Sequence, residues 1–131
     1  MKKRIALALS FVTLLGAAIV YAQGMTVIGK VNVPFKFTVD KKELPAGKYE
    51  ILEVHGRSST LLLRSADMKT SIYLSVIERL AETDPSEKHP PRVVFDSAGD
   101  QKLFSEFWPA NNADGYLVGT IKGEHKHIVL E

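Results

Sequence analysis

From Gly29 onward the chain alternates. Val31, Val33, Phe35, Phe37 and Val39 take every second position, with Lys30, Asn32, Pro34, Lys36 and Thr38 between them. A period of two sends successive side chains to opposite faces of an extended strand, so one face is expected in a core and the other in water. Pro34 falls on the wet side and lacks an N–H, which predicts an edge strand or a bulge there. Residues 40–43 read as a solvated turn, and Leu44-Pro45-Ala46-Gly47 as a tighter one. Residues 49–54 resume a strand.

His55-Gly56-Arg57-Ser58-Ser59 turns the chain into the apolar run Leu61-Leu62-Leu63, and Asp67-Met68-Lys69 reads as a hairpin tip. Ile72, Leu74 and Val76 against Ser71, Tyr73 and Ser75 restore the period of two. Residues 77–80 are open to either a helical turn or a strand. Residues 81–91 form one long polar connection. Residues 92–95 and 102–108 read as a hairpin around Asp96-Ser97-Ala98-Gly99-Asp100, and Asn111-Asn112-Ala113-Asp114-Gly115 is a dense turn signal. Residues 116–130 close the chain as a strand or bent strand pair, interrupted at Gly119 and Gly123. The expectation is all-β: a single antiparallel β-sandwich or small flattened barrel of about seven to eight strands. Its core should take Val31, Val33, Phe35, Phe37, Val39, Tyr49, Ile51, Leu61, Leu63, Ile72, Leu74 and Val76.

The first 22 residues have a different character. Lys2, Lys3 and Arg4 precede an almost unbroken apolar run over residues 5–20, and Val20-Tyr21-Ala22 places small residues where a signal peptidase reads them. The alternative is a retained anchor, but the run is short of the roughly 20 residues a bilayer span needs. The reading is a signal peptide over 1–22, cleaved after Ala22, and a single β-domain over 23–131. Cleavage takes the formal charge from +2 to −1, which removes any electrostatic case for nucleic acid. The address is periplasmic or extracellular, with no stable membrane span left after cleavage. The chain has no cysteine, so disulfides, thiolate metal sites and lipoprotein anchoring are excluded.

Val33-Pro34-Phe35-Lys36-Phe37-Thr38-Val39 followed by Leu44-Pro45-Ala46-Gly47-Lys48-Tyr49 resembles a family of small exported bacterial all-β proteins of unknown function. That family's pattern is VPFxFxV, a polar turn, then LPAGxY. Leu62-Leu63-Arg64-Ser65, Val94-Phe95, and Gly99-Asp100 through Leu103-Phe104-Ser105 to Trp108 are similar to its later VF…GDxxFLSxxW segment. Lys102 stands where the family has an aromatic, and residues 116–131 depart from its basic tail. The resemblance implies an exported β-domain and no particular activity.

Chemistry is sparse. GxSxG, HExxH, P-loop and GxGxxG motifs are all missing, so no enzyme is expected. Ser97 and Ser105 with Asp100, or carboxylates drawn from Glu78, Glu82, Asp84 and Glu106, form no pattern beyond chance. His125 and His127 would share one side of a strand, the spacing two imidazole ligands use. A site needs a third ligand, for which His55, His89 or Glu124 is only a guess, and no metal or other cofactor is expected. The richer group is Trp108, Asn111, Asn112, Asp114 and Tyr116: an aromatic face beside short amide and carboxylate groups, which suits a hydroxyl-rich ligand. The expected function is a non-catalytic binding module of the cell envelope, its partner a glycan, a lipid or an envelope protein. The alternative is a structural or adhesive component assembling through strand edges. Lys30, Lys36, Lys41 and Lys42 read as edge protection against it.

Overall fold

The computed structural model describes residues 24–82 and 88–131. The expected signal peptide and part of the polar connection, Asp84 included, lie outside them. Eleven strands follow in order: β1 Met25–Val33, β2 Phe37–Val39, β3 Lys42–Leu44, β4 Gly47–Val54, β5 Thr60–Ser65, β6 Ser71–Ser75, β7 Glu78–Ala81, β8 Arg92–Ala98, β9 Gln101–Trp108, β10 Asp114–Leu117 and β11 Lys126–Leu130. One sheet has the order β1-β4-β5-β6. The other runs β11-β8-β9-β10-β7, with β2 pairing both β3 and β9. The fold is an all-β sandwich.

The strands outnumber the expected seven or eight for physical reasons. The alternating run over residues 29–39 is two strands rather than one. It stops at Val33, passes through Pro34-Phe35-Lys36, and resumes as β2 in the opposite sheet. Proline cannot continue a ladder, so the chain uses it to change sheets. The β2–β3 connection is only Asp40-Lys41, both at positive φ (46° and 65°), the backbone of a tight hairpin turn. Residues 78–80 resolve as strand, because Glu78–Ala81 pairs with β10, and Ile77 precedes it.

The core fills the space between the sheets. Val33, Tyr49, Ile51, Leu61, Leu63, Ile72 and Leu74 enter from the smaller sheet. Phe37, Val39, Leu44, Val93, Phe95, Phe104, Phe107 and Tyr116 enter from the larger. Nine of the twelve expected core positions are fully buried, and Val31, Phe35 and Val76 pack against them half-buried. Leu52 and Leu62 are buried too, on the opposite side of their strands from Ile51 and Leu63.

At Gly29 the smaller sheet lies directly against Phe107 of the larger. A Cβ there would lie 2.4 Å from Cζ of Phe107, whose ring is fully buried and has nowhere to move. Gly29→Ala is therefore expected to cost about 2 kcal/mol through overpacking, read as a lower urea midpoint with an unchanged slope. Tyr49 gives a second test. Its hydroxyl donates to the Pro45 carbonyl at 2.6 Å. Burial, helped by the Asp67 charge, raises its pKa above the ordinary 10.0. The stability carried by the neutral phenol is complete below pH 10 and is lost as pH rises through the raised value. Tyr49→Phe should flatten the alkaline limb of the stability profile while lowering the neutral plateau by about 1 kcal/mol.

Candidate functional site

Two groups of polar side chains occupy the outer face of the larger sheet, one at each end. The first is the tryptophan end. Trp108 is 7 % exposed, and its indole N–H donates to Glu106 Oε1 at 3.0 Å. Gly115 presses on the ring, since a Cβ there would fall 2.5 Å from it. The Arg92 guanidinium lies 5.0 Å from the ring centroid. Arg92 on β8 is the strand neighbour opposite Trp108, and β10 flanks it on the other side. The indole is thus packed between two strands, with little of its surface left open.

The asparagines beside it work locally. Asn111 sits at φ 53°, its Oδ1 accepting the His89 backbone N–H at 2.9 Å. Asn112 Oδ1 accepts the Asp114 N–H at 3.0 Å. The His89 ring meets the Asn112 carbonyl at 3.2 Å, and Arg92 pairs with Glu82 at 2.9 Å. Tyr116 is buried, stacked on Phe107 and covered by Arg79 at 4.4 Å. Of the five residues expected to form a ligand site, Trp108 and Tyr116 are buried, while Asn111, Asn112 and Asp114 stand exposed in the turn. The turn chemistry that suggested recognition is consumed in making the turn.

The second group was only half visible in the sequence. In β8 and β9, Val94 pairs with Glu106 and Phe95 with Phe104, so Ser105 is an extra residue in the ladder. On its other side β9 pairs with β10, and the chain leaving β10 continues that register, the Val118 N–H donating to the Ser105 carbonyl at 2.8 Å. The Ser105 hydroxyl donates to the Gly119 carbonyl at 2.7 Å. Strapped there, the returning segment runs on until the Ile121 N–H donates to Asp96 Oδ2 at 3.0 Å. β11 then pairs with β8, setting His127 opposite Asp96.

The result is a carboxylate, 1 % exposed, beneath two imidazoles. His127 Nδ1 lies 3.0 Å from Asp96 Oδ1, and His125 Nε2 lies 3.5 Å from Oδ2. Despite that proximity Oδ1 has no hydrogen-bond partner. His125 Nδ1 meets the Gly123 carbonyl at 2.8 Å. A carbonyl only accepts, so this nitrogen carries the proton, and in the neutral ring the Nε2 lone pair faces the carboxylate. The His125 and His127 rings are perpendicular, 5.1 Å apart. Two openings flank the cluster. One of about 490 Å³ is lined by Ser97, Gly99, Glu124, His125 and others. A groove of about 360 Å³ runs from His127 past Val94, Val129 and Glu106 to Trp108 and Arg92.

His125 and His127 therefore share a site, but with Asp96 rather than the third ligands considered from sequence. His55 bonds Thr26 at 2.6 Å, His89 belongs to the tryptophan end, and Glu124 only lines the neighbouring opening. Ser105, 2 % exposed with its hydroxyl committed to Gly119, makes no nucleophile. No protein-family model, no curated protein and no solved structure matches the chain.

The packing of Trp108 makes a direct prediction. Trp108→Ala should cost about 3 kcal/mol, the loss expected for a large buried aromatic. Chemical denaturation followed by circular dichroism measures it.

Proposed function

We propose that the chain is an exported, non-catalytic binding module of the cell envelope, acting through the outer face of its larger sheet along β8 and β11. One observation carries this reading: the Asp96 carboxylate is buried yet only partly satisfied, beneath imidazoles of which His127 is 56 % exposed. Burying a carboxylate costs free energy, which the Ile121 N–H on Oδ2 offsets only in part. An arrangement of this kind earns its place by recognition.

The groove beside the cluster favours an envelope-protein segment over a sugar or a lipid. Val94 and Val129 give it an apolar strip, and Arg92, His127, Glu106 and Glu131 give it charges of both signs. A sugar would need the indole face that Gly115 and Arg92 cover. The leader-like first 22 residues and the near-neutral remainder support export, and among the described residues no helix is long and apolar enough to cross a membrane.

The second reading is a structural component assembling through strand edges. It draws on β6, the outermost strand of the smaller sheet, where Tyr73 is 52 % exposed. Lys30 on the opposite edge strand and Lys42 on β3 weigh against it. A monomer by light scattering at high concentration removes this reading.

The test of the main reading starts from the full chain expressed with its leader, fractionated and sequenced at its N-terminus. Protein beginning at Gln23 outside the cytoplasm is expected, and retention inside refutes export. The exported protein is then presented to envelope proteins, envelope glycans and lipid vesicles. Val129→Asp in the groove should weaken protein binding at least tenfold, and Tyr73→Ala on the far sheet should leave it unchanged. Equal binding by both variants would overturn the assignment of this face.

A further inference from the structure

We infer that Asp96, His125 and His127 form a binding site for a divalent first-row transition metal ion. This rests on the reading of the same face as a recognition surface and names the ligand class for one end of it. The ion is of the zinc, copper(II) or nickel(II) kind. Imidazole nitrogen with a single carboxylate suits these metals, whereas calcium and magnesium call for oxygen donors throughout.

Four observations converge. The first is spacing. One donor atom from each residue falls within a sphere where all lie within 4.8 Å of one another. An ion held at bonds of about 2.0–2.2 Å keeps neighbouring donors about 3.0–3.5 Å apart. The two imidazoles approach the two oxygens of the one carboxylate at such separations, His127 Nδ1 3.0 Å from Oδ1 and His125 Nε2 3.5 Å from Oδ2.

The second is the unsatisfied oxygen. Asp96 Oδ1 is buried and has no hydrogen-bond donor although an imidazole nitrogen lies 3.0 Å away. An ion coordinated by both atoms supplies the partner that this oxygen lacks.

The third is the surrounding shell. His125 Nδ1 is fixed by the Gly123 carbonyl, which leaves Nε2 as the donor to an ion, and Asp96 Oδ2 is oriented by the Ile121 N–H. Metal-ligating histidines and carboxylates are held in this way, by backbone groups on their far sides.

The fourth is access. His127 is 56 % exposed and the opening beside His125 is open to solvent, so an ion can enter. Three protein donors leave at least one position for water or for a donor from a partner. The site is therefore one that can hand over an ion or bridge to a second molecule, not a closed structural knot.

The experiment uses the exported protein, purified without a polyhistidine tag and stripped with chelator. It is titrated calorimetrically with Zn²⁺, Cu²⁺ and Ni²⁺ in turn, with Mg²⁺ and Ca²⁺ as controls. One ion per chain is expected for at least one of the three, and none for the controls. His127→Ala, at an exposed position that leaves the core untouched, should weaken that affinity at least tenfold, and His125→Ala likewise. His55→Ala should not change it. Asp96→Asn tests the carboxylate; because this residue is buried, its folding is checked by circular dichroism. Nitrogen-15 spectra of the wild-type imidazoles supply a readout independent of any variant. Added metal should shift His125 Nε2 and His127 Nδ1 and leave His55 and His89 in place.

No heat with any of the three ions, or undiminished binding by His127→Ala, would overturn the proposal and identify the cluster as an imidazolium–carboxylate pair. Such a result leaves the groove's protein binding to be judged on Val129→Asp. Metal uptake without any envelope partner would instead refute the wider reading while sustaining this one.

Discussion

The sandwich depends on an aromatic interlock between its two sheets. Phe37 stands edge-on to Tyr49 of the smaller sheet at 5.2 Å and to Phe95 of its own at 5.4 Å, and Phe95 meets Phe104 at 5.5 Å. Phe35, in the crossing between sheets, closes on Phe95 at 5.0 Å. Each contact sets the positive edge of one ring against the negative face of another, an arrangement worth about 0.5–1.5 kcal/mol per pair beyond area burial. The cluster matters more for where it stands than for its sum. Phe35 and Phe37 flank the point where the chain changes sheets, so burying them is what makes the crossing at Pro34 favourable. With no cysteine available, apolar packing of this kind is the clamp that joins the sheets.

The same rigidity lets the opposite face of the larger sheet be polar. β8 spends Val93 and Phe95 inward, which frees Arg92, Val94 and Asp96 to point away from the core. On β9 the bulge at Ser105 shifts the alternation so that Phe104 and Phe107 both reach inward, with Glu106 and Trp108 outward. The one extra residue thus keeps the inner face of β9 apolar on both sides of the bulge. The chemistry of the outer face is a by-product of how the inner face is packed.

Much of this was legible in the sequence, and the limits of legibility are physical. Period-two alternation assigned faces well from Val31 to Val76, because one side of each strand has to leave water. It could not tell that residues 29–39 change sheets, since alternation continues unbroken through Pro34 and records no partner. Leu62 could not be separated from Leu61 and Leu63, and all three are buried. Asp96 was read as part of a hairpin turn because an acidic residue beside serine and glycine ordinarily faces water. Its burial depends on a segment more than twenty residues later folding across it, and no local pattern encodes that return. Trp108 misled in the opposite direction. Its neighbourhood of asparagines suggested an exposed recognition loop, but Gly115, the one residue without a side chain to obstruct it, is what allows the indole to lie flat against the next strand.

The pairing of β2 has a consequence for how the chain acquires its structure. β2 runs parallel to β9, joined through Thr38 and Leu103, so a short strand from early in the sequence is seated, with its hairpin partner β3, in a sheet otherwise built from residues 78–130. β1, β4, β5 and β6 can zip together as neighbours soon after they emerge, but Phe37 has no sheet to enter until β8 and β9 exist. A chain folding from its N-terminus would hold Phe35 and Phe37 without their sheet until most of its length was available. Closing so long a loop is entropically slow. The tight β2–β3 hairpin, with Lys41 and Lys42 at its tip, keeps that waiting segment short, charged and unattractive to other chains in the interval.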